Sequence, residues 1–203
     1  MRPVDDAYFR EMYASSPDPW SFAERWYDRR KYALTLAALP QERYRSGFEP
    51  ACSIGVLSAG LAERCDSLLC TDLVDEAVDR ARERLAGYPH VTVRRQALPD
   101  WPDGHFDLIV LSEVLYYLTD EELFDTLTNA RASLEPGGHL VSVHWRHPVA
   151  EHRRRGDEVH AAVNHVDGLH RLAAYHDPDF RLDVFARVPP MARSVAQAEG
   201  LSP

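Results

Sequence analysis

Residues 106–118 read Phe-Asp-Leu-Ile-Val-Leu-Ser-Glu-Val-Leu-Tyr-Tyr-Leu, and this stretch decides the fold class. Its nearly continuous apolar run, 106–111, is typical of a parallel strand that is covered on both faces. A polar step follows at Ser112 and Glu113, and Thr119 or Asp120 then caps a helix that is predicted to reach about Leu134. The stretch therefore predicts one strand-loop-helix unit of an α/β sheet.

The same alternation of strand and helix continues outward from this unit in both directions. Further strands are predicted around 48–52, 67–71, 91–95, 139–145 and 180–188, with a turn at 135–138. Helices are predicted over 22–39, 57–64, 75–86 and 157–175, the last from apolar residues at helical spacing. This order predicts an α/β fold with one domain and a doubly wound, mostly parallel, Rossmann-like sheet.

The length of 203 residues allows one domain and short extensions. We expect residues 1–40 to form an N-terminal helical lid region, in which Pro17 and Pro19 favour turns and Ser21 caps the helix. The lid is expected because its aromatic residues have no other core to join. Residues 41–188 are the predicted core, and residues 189–203 are predicted to be a mobile tail.

Charge and cysteine content restrict the partners and the compartment. Lys and Arg number 23 against 32 Asp and Glu, and this net charge of −9 argues against nucleic acid or an anionic membrane as partner. The sequence shows neither a membrane-spanning apolar stretch nor a signal peptide. Its three cysteines, Cys52, Cys65 and Cys70, lack C-x-x-C spacing and are expected to be buried free thiols. We expect a cytoplasmic protein, whose oligomeric state the sequence leaves open.

Small residues alternate in the loop after the first predicted strand, at Ala51, Ser53 and Gly55. Small side chains let a ligand approach the backbone, and the next helix offers free N–H groups. Asp72 ends the second strand, and its carboxylate can accept hydrogen bonds from both hydroxyls of a ribose. The pair predicts a nucleoside-containing cofactor; the alternative is an ordinary turn with Asp72 as a helix cap.

The loop lacks the G-x-G-x-x-G and G-x-x-x-x-G-K-[ST] motifs that bind dinucleotides and phosphates. The spacing of residues 49–55 instead resembles motif I of class I S-adenosylmethionine (SAM) methyltransferases. Residues 106–118 are similar to the fourth strand and following loop of that family, and residues 134–140 to its turn into the fifth strand. The resemblance implies SAM as the cofactor and the Rossmann-like fold of these enzymes.

More specifically, the chain resembles the NodS-like branch, which is named for a rhizobial N-methyltransferase acting on amino sugars of nodulation factors. The resemblance is carried by six segments: 18–20, 26–32, 52–57, 111–118, 144–148 and 156–160. Together they extend over roughly residues 5–188. The resemblance implies a methyltransferase that acts on a small molecule.

The resemblance also implies cofactor-binding residues in the loops after the strands. They are Glu49, Ala51, Ser53, Gly55 and Ser112 for the methionine moiety, Asp72 for the ribose, and Leu73, Gln96, Ala97 and Leu98 for the adenine. Ala51 and Ser53 replace glycines of the family, and Ala97 stands where many relatives have an aspartate. An N-terminal lid is implied at Trp20, Trp26, Tyr27 and Arg30, with Trp20 and Arg30 at the cofactor.

Methyl transfer is an in-line displacement, so the protein mainly positions the reactants and excludes water. An amine must be neutral to attack, and a general base therefore helps. We expect Glu113 to orient an amine or the SAM ammonium, and His144 or His160 to take the proton. The alternatives are a helix-capping role for Glu113 and a half-buried structural role for His144.

Further loop residues are expected to face the acceptor. They are Tyr116, Tyr117, Trp145, His147 and Asp157. The basic run 152–158 is either a solvated loop or a gate for an anionic acceptor, such as a sugar phosphate or a carrier-linked sugar. No catalytic metal is expected, because His160, His165 and His170 recur every five residues and so do not share a helix face.

We therefore predict a SAM-dependent methyltransferase, with N-methylation of an amino sugar or a related amine as the reaction. One alternative is an O-methyltransferase that acts on a sugar hydroxyl or a carboxylate. The other alternative is a non-catalytic SAM-fold binding protein, which the glycine-poor first loop would explain.

Overall fold

Seven strands form one sheet in the computed structural model, which describes residues 6–202. The strands are β1 (Gly47–Pro50), β2 (Leu68–Asp72), β3 (Val91–Arg95), β4 (Phe106–Ser112), β5 (Leu134–Trp145), β6 (Leu169–His176) and β7 (Phe180–Arg187). Their order across the sheet is β3-β2-β1-β4-β5-β7-β6. Only β7 runs antiparallel to its neighbours, β5 and β6. The predicted doubly wound, mostly parallel sheet is confirmed.

Helices cover both faces of this sheet. They are α1 (Asp6–Ser15), α2 (Trp26–Ala37), α3 (Val56–Ala62), α4 (Asp75–Leu85), α5 (Asp120–Ser133), α6 (Gly156–Asn164) and α7 (Val195–Ala198). Leu108 and Val110 of β4 pack in the core beneath α2, α3 and α4, whereas Ile109 and Leu111 pack beneath α5 and α6. Because β4 is buried on both faces, it needs the continuous apolar run from which it was predicted. Within residues 6–202, every helix is too short or too polar to cross a membrane.

The start of α5 lies where the sequence predicts it. Thr119 is the N-cap: its hydroxyl accepts a hydrogen bond from the backbone N–H of Glu122 (3.2 Å). The carboxylate of Glu122 in turn accepts from the backbone N–H of Thr119 (2.7 Å). This reciprocal capping box satisfies two backbone donors that the first turn of a helix leaves free.

The predicted helix over 157–175 is wrong in its second half. Helix α6 ends at Asn164, Gly168 takes a left-handed backbone with φ of 83°, and residues 169–176 form the edge strand β6. An edge strand has one sheet partner and little burial, so Leu169 and Leu172 could extend the helical spacing by chance. Residues 135–138, where a turn is predicted, lie within β5, but the pairing with β4 is interrupted between Leu134 and His139, and Gly137 there has a left-handed φ of 77°.

The N-terminal region differs from the prediction in two respects. Residues 6–15 form α1, which the proline-based argument for turns did not predict. Ser21 does not cap the next helix, since it has a left-handed φ of 56° and α2 begins later, at Trp26. The turn before α2 is held instead by Asp18, whose carboxylate accepts from the N–H groups of Phe22 and Ala23, both at 2.9 Å. Residues 1–5, the first part of the predicted lid, lie outside the described residues.

Candidate cofactor and acceptor site

The loop after β1 has the backbone of a glycine-rich turn although it contains one glycine. Ala51, Ser53 and Gly55 all have left-handed φ angles, of 56°, 53° and 77°. For alanine and serine this conformation costs about 1–2 kcal/mol each, so the surrounding contacts must hold the loop. At Gly55 a Cβ atom would also lie 3.3 Å from the Cα of Ala81 in α4. The loop therefore packs closely on α4, and the side chains of Ala51 and Ser53 that line the cleft are small.

Asp72, at the end of β2, fixes this loop. Its carboxylate accepts hydrogen bonds from the backbone N–H of Ser53 (2.9 Å) and of Val74 (3.1 Å). Burial raises the pKa of Asp72 to about 6, although these backbone donors oppose the shift. Because an ionised carboxylate can accept about four hydrogen bonds, Asp72 keeps acceptor capacity after these two.

Glu49, in β1, is a second buried carboxylate at the same loop. It accepts from the hydroxyl of Ser58 at 2.5 Å and from the thiol of Cys70 at 3.8 Å. Burial raises the pKa of Glu49 to about 7, because these neutral donors do not offset the desolvation of the charge. Within residues 6–202, neither Glu49 nor Asp72 forms an ion pair. This end of the site therefore holds two buried carboxyl groups that a cationic partner would stabilise in their ionised form.

Glu113, directly after β4, is bound by three other parts of the chain: α2, the 3-10 turn that follows it, and β5. Its carboxylate forms an ion pair with Lys31 of α2 (2.7 Å) and accepts the backbone N–H of Trp145 at 3.0 Å and the hydroxyl of Tyr116. Its own backbone N–H donates to the carbonyl of Val143 in β5 (2.9 Å). The left-handed φ of 56° at Glu113 turns the chain sharply into a 3-10 turn, Leu115–Tyr117.

The ion pair decides the protonation state of Glu113. Burial by itself would raise the pKa of Glu113, but the charge and hydrogen bond of Lys31, with the donors of Tyr116 and Trp145, lower it below its ordinary value. Lys31 is 2% exposed and also pairs with Asp28 (3.2 Å). Its ammonium lies 5.0 Å from the ring centre of Tyr27 and 5.4 Å from that of Tyr32. Glu113 is therefore a fixed anion and a poor proton acceptor.

His144 and His160 lie together in a buried hydrogen-bond chain. The backbone N–H of Leu115 can only donate, so Nε2 of His144, at 3.3 Å, accepts. Nδ1 of a neutral His144 then carries the proton and faces Nε2 of His160 at 3.4 Å. Nδ1 of His160 in turn donates to the carboxylate of Asp183 at 2.6 Å.

Both histidines in this chain are neutral. Burial, followed by the charges of His160 and Lys31, lowers the pKa of His144 well below its ordinary value. Burial also lowers the pKa of His160, although Asp183 opposes the shift. Since every ring nitrogen has a partner and both side chains are fully buried, the chain ties the 3-10 turn to β5, α6 and β7. The geometry supports a positioning role for His144 and His160 better than direct proton transfer.

The first helix covers the loop after β1. The hydroxyls of Tyr13 and Ser53 share a hydrogen bond of 2.6 Å. Tyr13 packs with Ile54 and Val74, and Trp20 packs against the ring of Tyr13 with a centroid distance of 5.6 Å. The N-terminal region thus lies directly on the loop that the sequence identifies as the cofactor loop.

Of the residues that were expected around the adenine, Leu73 and Gln96 lie next to Asp72, whereas Leu98 does not. Leu73 packs in the cluster of Ile54 and Trp20, and the backbone N–H of Gln96 donates to the carbonyl of Asp72 at 2.9 Å. Ala97 follows Gln96 and is half-buried, and Leu98 packs on the other face of the sheet beside Trp101. Ser112 lines the cleft together with Glu49, Ala51, Ser53 and Glu113.

The family follows from comparison with known proteins. The sequence matches the family model of Nodulation protein S (NodS) over residues 4–164. The chain belongs to the NodS family. Nodulation protein S of Rhizobium tropici is 36% identical over 135 residues, which are 65% of this chain and 56% of that protein. The chain spans between about a half and two-thirds of the length of the curated relatives that it matches.

Two solved structures share the fold. The crystal structure of the N-methyltransferase NodS of Bradyrhizobium japonicum WM9 in complex with S-adenosyl-L-homocysteine has a TM-score of 0.81 and 25% identity, over 92% of this chain and 99% of that one. A structure from Pseudomonas syringae has a TM-score of 0.72 and 50% identity, over 80% of this chain and 100% of that one. The Rossmann-like fold of SAM methyltransferases is confirmed.

Two residues of the expected lid lie away from the cleft in this NodS-family chain. Trp26 is 69% exposed and faces solvent. Arg30 donates to the hydroxyl of Tyr175 (2.7 Å) and to the carboxylate of Asp177 (2.8 Å), beyond the end of β6. Tyr175 belongs to the edge strand β6, which the sequence predicts as helix. Arg30 therefore binds the edge of the sheet and not the cleft. Tyr27 packs on Trp145 at 5.3 Å. It therefore lies beside Glu113 and its partners Lys31, Tyr116 and Trp145, which we call the Glu113 cluster.

The expected acceptor residues divide into two groups. Tyr116 and Trp145 hold Glu113, and Tyr117 packs against Phe9 of α1 at 5.1 Å. His147 instead pairs with Asp179 at 2.7 Å. Asp157 forms a two-pronged ion pair with Arg146 at 3.0 Å, whose hydrogen bond lowers the pKa of Asp157. His147 and Asp157 therefore have structural partners at the rim.

Sequence reasoning missed the buried charges beneath the site. They are Asp28, Lys31 and Asp183, together with Tyr13 from the unpredicted α1. A signal was present for one pair, because Asp28 and Lys31 stand three residues apart in the predicted helix and so share a face. Their burial could not be predicted, since it depends on how α2 lies on the sheet.

The three cysteines are free and buried, as predicted. Within residues 6–202, no group of three or more His, Cys, Asp or Glu side chains is arranged to hold a metal ion. The absence of a catalytic metal stays a prediction.

The hydrogen-bond chain gives a stability prediction. His160→Ala removes the ring that neutral His144 and buried Asp183 both use, and it leaves Asp183 with Arg181 as its partner (2.9 Å). Because two hydrogen bonds between buried groups are lost, we expect the free energy of unfolding to fall by about 2–4 kcal/mol in a denaturant titration. His165→Ala, at an exposed position of the same helix end, should change it by less than about 0.5 kcal/mol. Equal effects of the two variants would show that the hydrogen bonds of His160 do not stabilise the fold.

The raised pKa of Glu49 predicts a pH dependence of stability. Folding holds a proton on Glu49 that the unfolded chain releases above its ordinary pKa of 4.5, so the contribution of Glu49 to the free energy of unfolding should fall as the pH rises toward 7 and then level off. A shift from 4.5 to about 7 corresponds to a loss of roughly 3 kcal/mol.

Denaturant titrations between about pH 5 and pH 8 measure this slope. Glu49→Gln should remove this contribution, so the free energy of unfolding of the wild type minus that of the variant should fall by roughly 2–3 kcal/mol across this range. The contributions of Asp72 and of the buried His144 and His160 occur in both proteins and cancel in the difference. The exposed Glu121→Gln should give a difference that does not change with pH, and the same constant result for Glu49→Gln would mean that Glu49 is ionised in the folded protein.

Proposed function

We propose that the chain is a SAM-dependent methyltransferase whose acceptor is a small amine, most simply an amino sugar. The observation that carries the proposal is the pair of buried carboxyl groups at the loop after β1, Glu49 and Asp72, neither of which has a cation as partner within residues 6–202. Membership of the NodS family and the fold shared with an S-adenosyl-L-homocysteine complex support it.

The residues at the loop fit SAM. A ligand with an ammonium group would supply the positive partner that Glu49 lacks, and ribose hydroxyls would use the free acceptor capacity of Asp72. Ala51 and Ser53 replace glycine but keep the left-handed backbone, so they do not close the loop. When bound, SAM would supply a methyl group on a positively charged sulfur. A nucleophile attacks the methyl carbon, and the sulfur leaves as the neutral thioether of S-adenosylhomocysteine.

The residues around Glu113 position the acceptor and exclude water. Lys31 and Tyr116 hold the carboxylate of Glu113 in one place, and Trp145 packs with Tyr27 over it. A fixed arrangement that excludes water favours in-line attack, because the entropy of bringing the reactants together is lost on binding and not in the chemical step. Glu113 can accept an N–H or O–H of the acceptor without taking the proton.

This arrangement favours an amine over a hydroxyl as the acceptor. Each proposed base is already committed: Glu113 is paired with Lys31, and His144 and His160 are buried in the neutral chain. A hydroxyl needs a base to become a strong nucleophile, whereas an amine needs only to arrive neutral. Fragmentation of the methylated product distinguishes N–CH₃ from O–CH₃.

The amino sugar is the finer part of the proposal. Its support is the family match to Nodulation protein S and the N-methyltransferase likeness, together with the aromatic rings of Tyr117 and Trp145 near Glu113. A cytoplasmic location belongs to the same proposal and is supported by the three free thiols.

Cofactor binding is tested by thermal unfolding with SAM and with S-adenosylhomocysteine. A ligand at about a hundred times its Kd stabilises by ~2.7 kcal/mol, which raises the midpoint of a domain of this size by roughly 5–10 °C. Asp72→Ala should abolish the shift, whereas Asp79→Ala, at an exposed position of α4, should retain it. The absence of a shift with both ligands, or an equal shift in Asp72→Ala, would overturn the proposal.

The N-terminal region, within residues 1–40, is proposed to act as a lid that closes over the cofactor. Its support is the contact of Tyr13 with Ser53 and the packing of Trp20 near Leu73. Limited trypsin digestion measures closure, because Arg25 and Arg29 are exposed in this region. We expect cleavage there to slow at least fivefold with S-adenosylhomocysteine, while cleavage at Arg193 in the tail stays constant. Equal rates at Arg25 with and without the ligand would rule out a closing lid.

A further inference from the structure

A basic cleft lies beside the Glu113 cluster, between residues 147–149 after β5 and the loop 152–155 before α6. It has a volume of about 240 Å³. Its polar lining consists of His147, His152, Arg153, Arg154, Arg155 and Glu158. This concentration of positive charge stands out in a chain whose net charge is −9.

The loop that carries the arginines is held against the 3-10 turn of the site. Arg154 is 12% exposed and donates to the carbonyls of Leu115 (3.2 Å) and Leu118 (2.6 Å). The backbone N–H of Arg153 donates to the carbonyl of Tyr116 (2.9 Å), and its Nε to that of Tyr117 (3.1 Å). The cleft is thus a formed feature and not a solvated stretch of charged chain.

Positive charge in the cleft is left without partners. Arg154 is neutralised by Asp120, and Glu158 accepts the backbone N–H of Arg155 at 2.7 Å. Within residues 6–202, the guanidinium of Arg155 has no hydrogen bond or ion pair, and Arg153 uses only its Nε. Two guanidinium groups with free N–H donors suit a phosphate, because their planar forks can bind two of its oxygens.

The cleft adjoins the atoms that position the acceptor. The ring of His152 stacks on Tyr116 with a centroid distance of 3.7 Å and an interplanar angle of 16°. The hydroxyl of Tyr116 donates to Glu113, which lines the cofactor cleft on the other side. One molecule could therefore place an amine near Glu113 and an anionic group among the arginines.

We propose that this cleft binds a phosphate-ester group of the acceptor, so that the substrate is a phosphorylated amine, such as an amino sugar phosphate or a nucleotide-linked amino sugar. The inference rests on the proposed methyltransferase function for the nature of the acceptor. Binding of phosphate by Arg153 and Arg155 can be tested without the cofactor, so the two proposals can fail separately.

The first arm of the test uses inorganic phosphate as the probe and no cofactor. Titration calorimetry on the wild-type chain should show saturable binding that weakens as NaCl rises, because salt screens exposed charges. Arg153→Gln/Arg155→Gln should weaken it at least tenfold. Arg153→Lys/Arg155→Lys keeps the charge but loses the planar guanidinium groups, so its phosphate affinity should lie between those of the wild type and the double Gln variant. Arg193→Gln, in the tail, should not change the phosphate affinity. Binding that the double Gln variant leaves intact would overturn the cleft as an anion site.

The second arm compares glucosamine with glucosamine 6-phosphate in the presence of S-adenosylhomocysteine. We expect the phosphorylated probe to bind at least ten times more tightly, and the preference to fall below about twofold in Arg153→Gln/Arg155→Gln. Equal binding of the two probes, in a protein that S-adenosylhomocysteine still stabilises, would overturn the acceptor class while leaving the methyltransferase proposal intact. Thermal unfolding of the double variant without ligand shows whether it folds as the wild type does.

Discussion

The ion pair between Glu113 and Lys31 is the contact on which the site depends. Glu113 leaves β4 in a left-handed conformation, and its carboxylate is bound from α2 by Lys31, from the 3-10 turn by Tyr116 and from the end of β5 by Trp145. Removing one member of a buried pair leaves an uncompensated charge, which typically costs about 3–5 kcal/mol. Four elements therefore meet at one charge, and the same pairing removes Glu113 as a general base.

Buried polar groups beneath this pair hold the acceptor side rigid. The chain from Leu115 through His144 and His160 to Asp183 runs from the 3-10 turn to the far side of β5. Its neutral histidines have a partner at every ring nitrogen, which matters because an unpaired buried polar group is costly. The cofactor side is different, because Glu49 and Asp72 are left with raised pKa values that a cationic ligand would lower. The charged groups around Glu113 are thus paired within the protein, whereas the carboxyl groups of Glu49 and Asp72 have no cation as partner within residues 6–202.

Much of the fold was predictable from local pattern. The buried run of β4, the capping residue Thr119 and the acid at the end of β2 each have a local physical cause, and each lies where it was expected. The errors have a common origin in weakly buried segments. Strand β6 lies at the sheet edge and α1 precedes two prolines, so neither shows the strong periodicity by which buried elements are recognised.

By itself, the sequence determined the α/β class, the loop of small residues after β1 with Asp72 beside it, and the position of Glu113 directly after the central strand. These features depend on neighbours along the chain, which periodicity and spacing report. Only the tertiary structure decided that Lys31 neutralises Glu113 and that Arg30 binds Asp177 instead of the cofactor cleft. It also decided that His144 and His160 face each other inside the core. These partners stand 16 to 147 residues apart in the sequence, and the packing of helices on the sheet brings them together. The protonation state of a charged side chain, and so its chemical role, depends on which partner lies beside it.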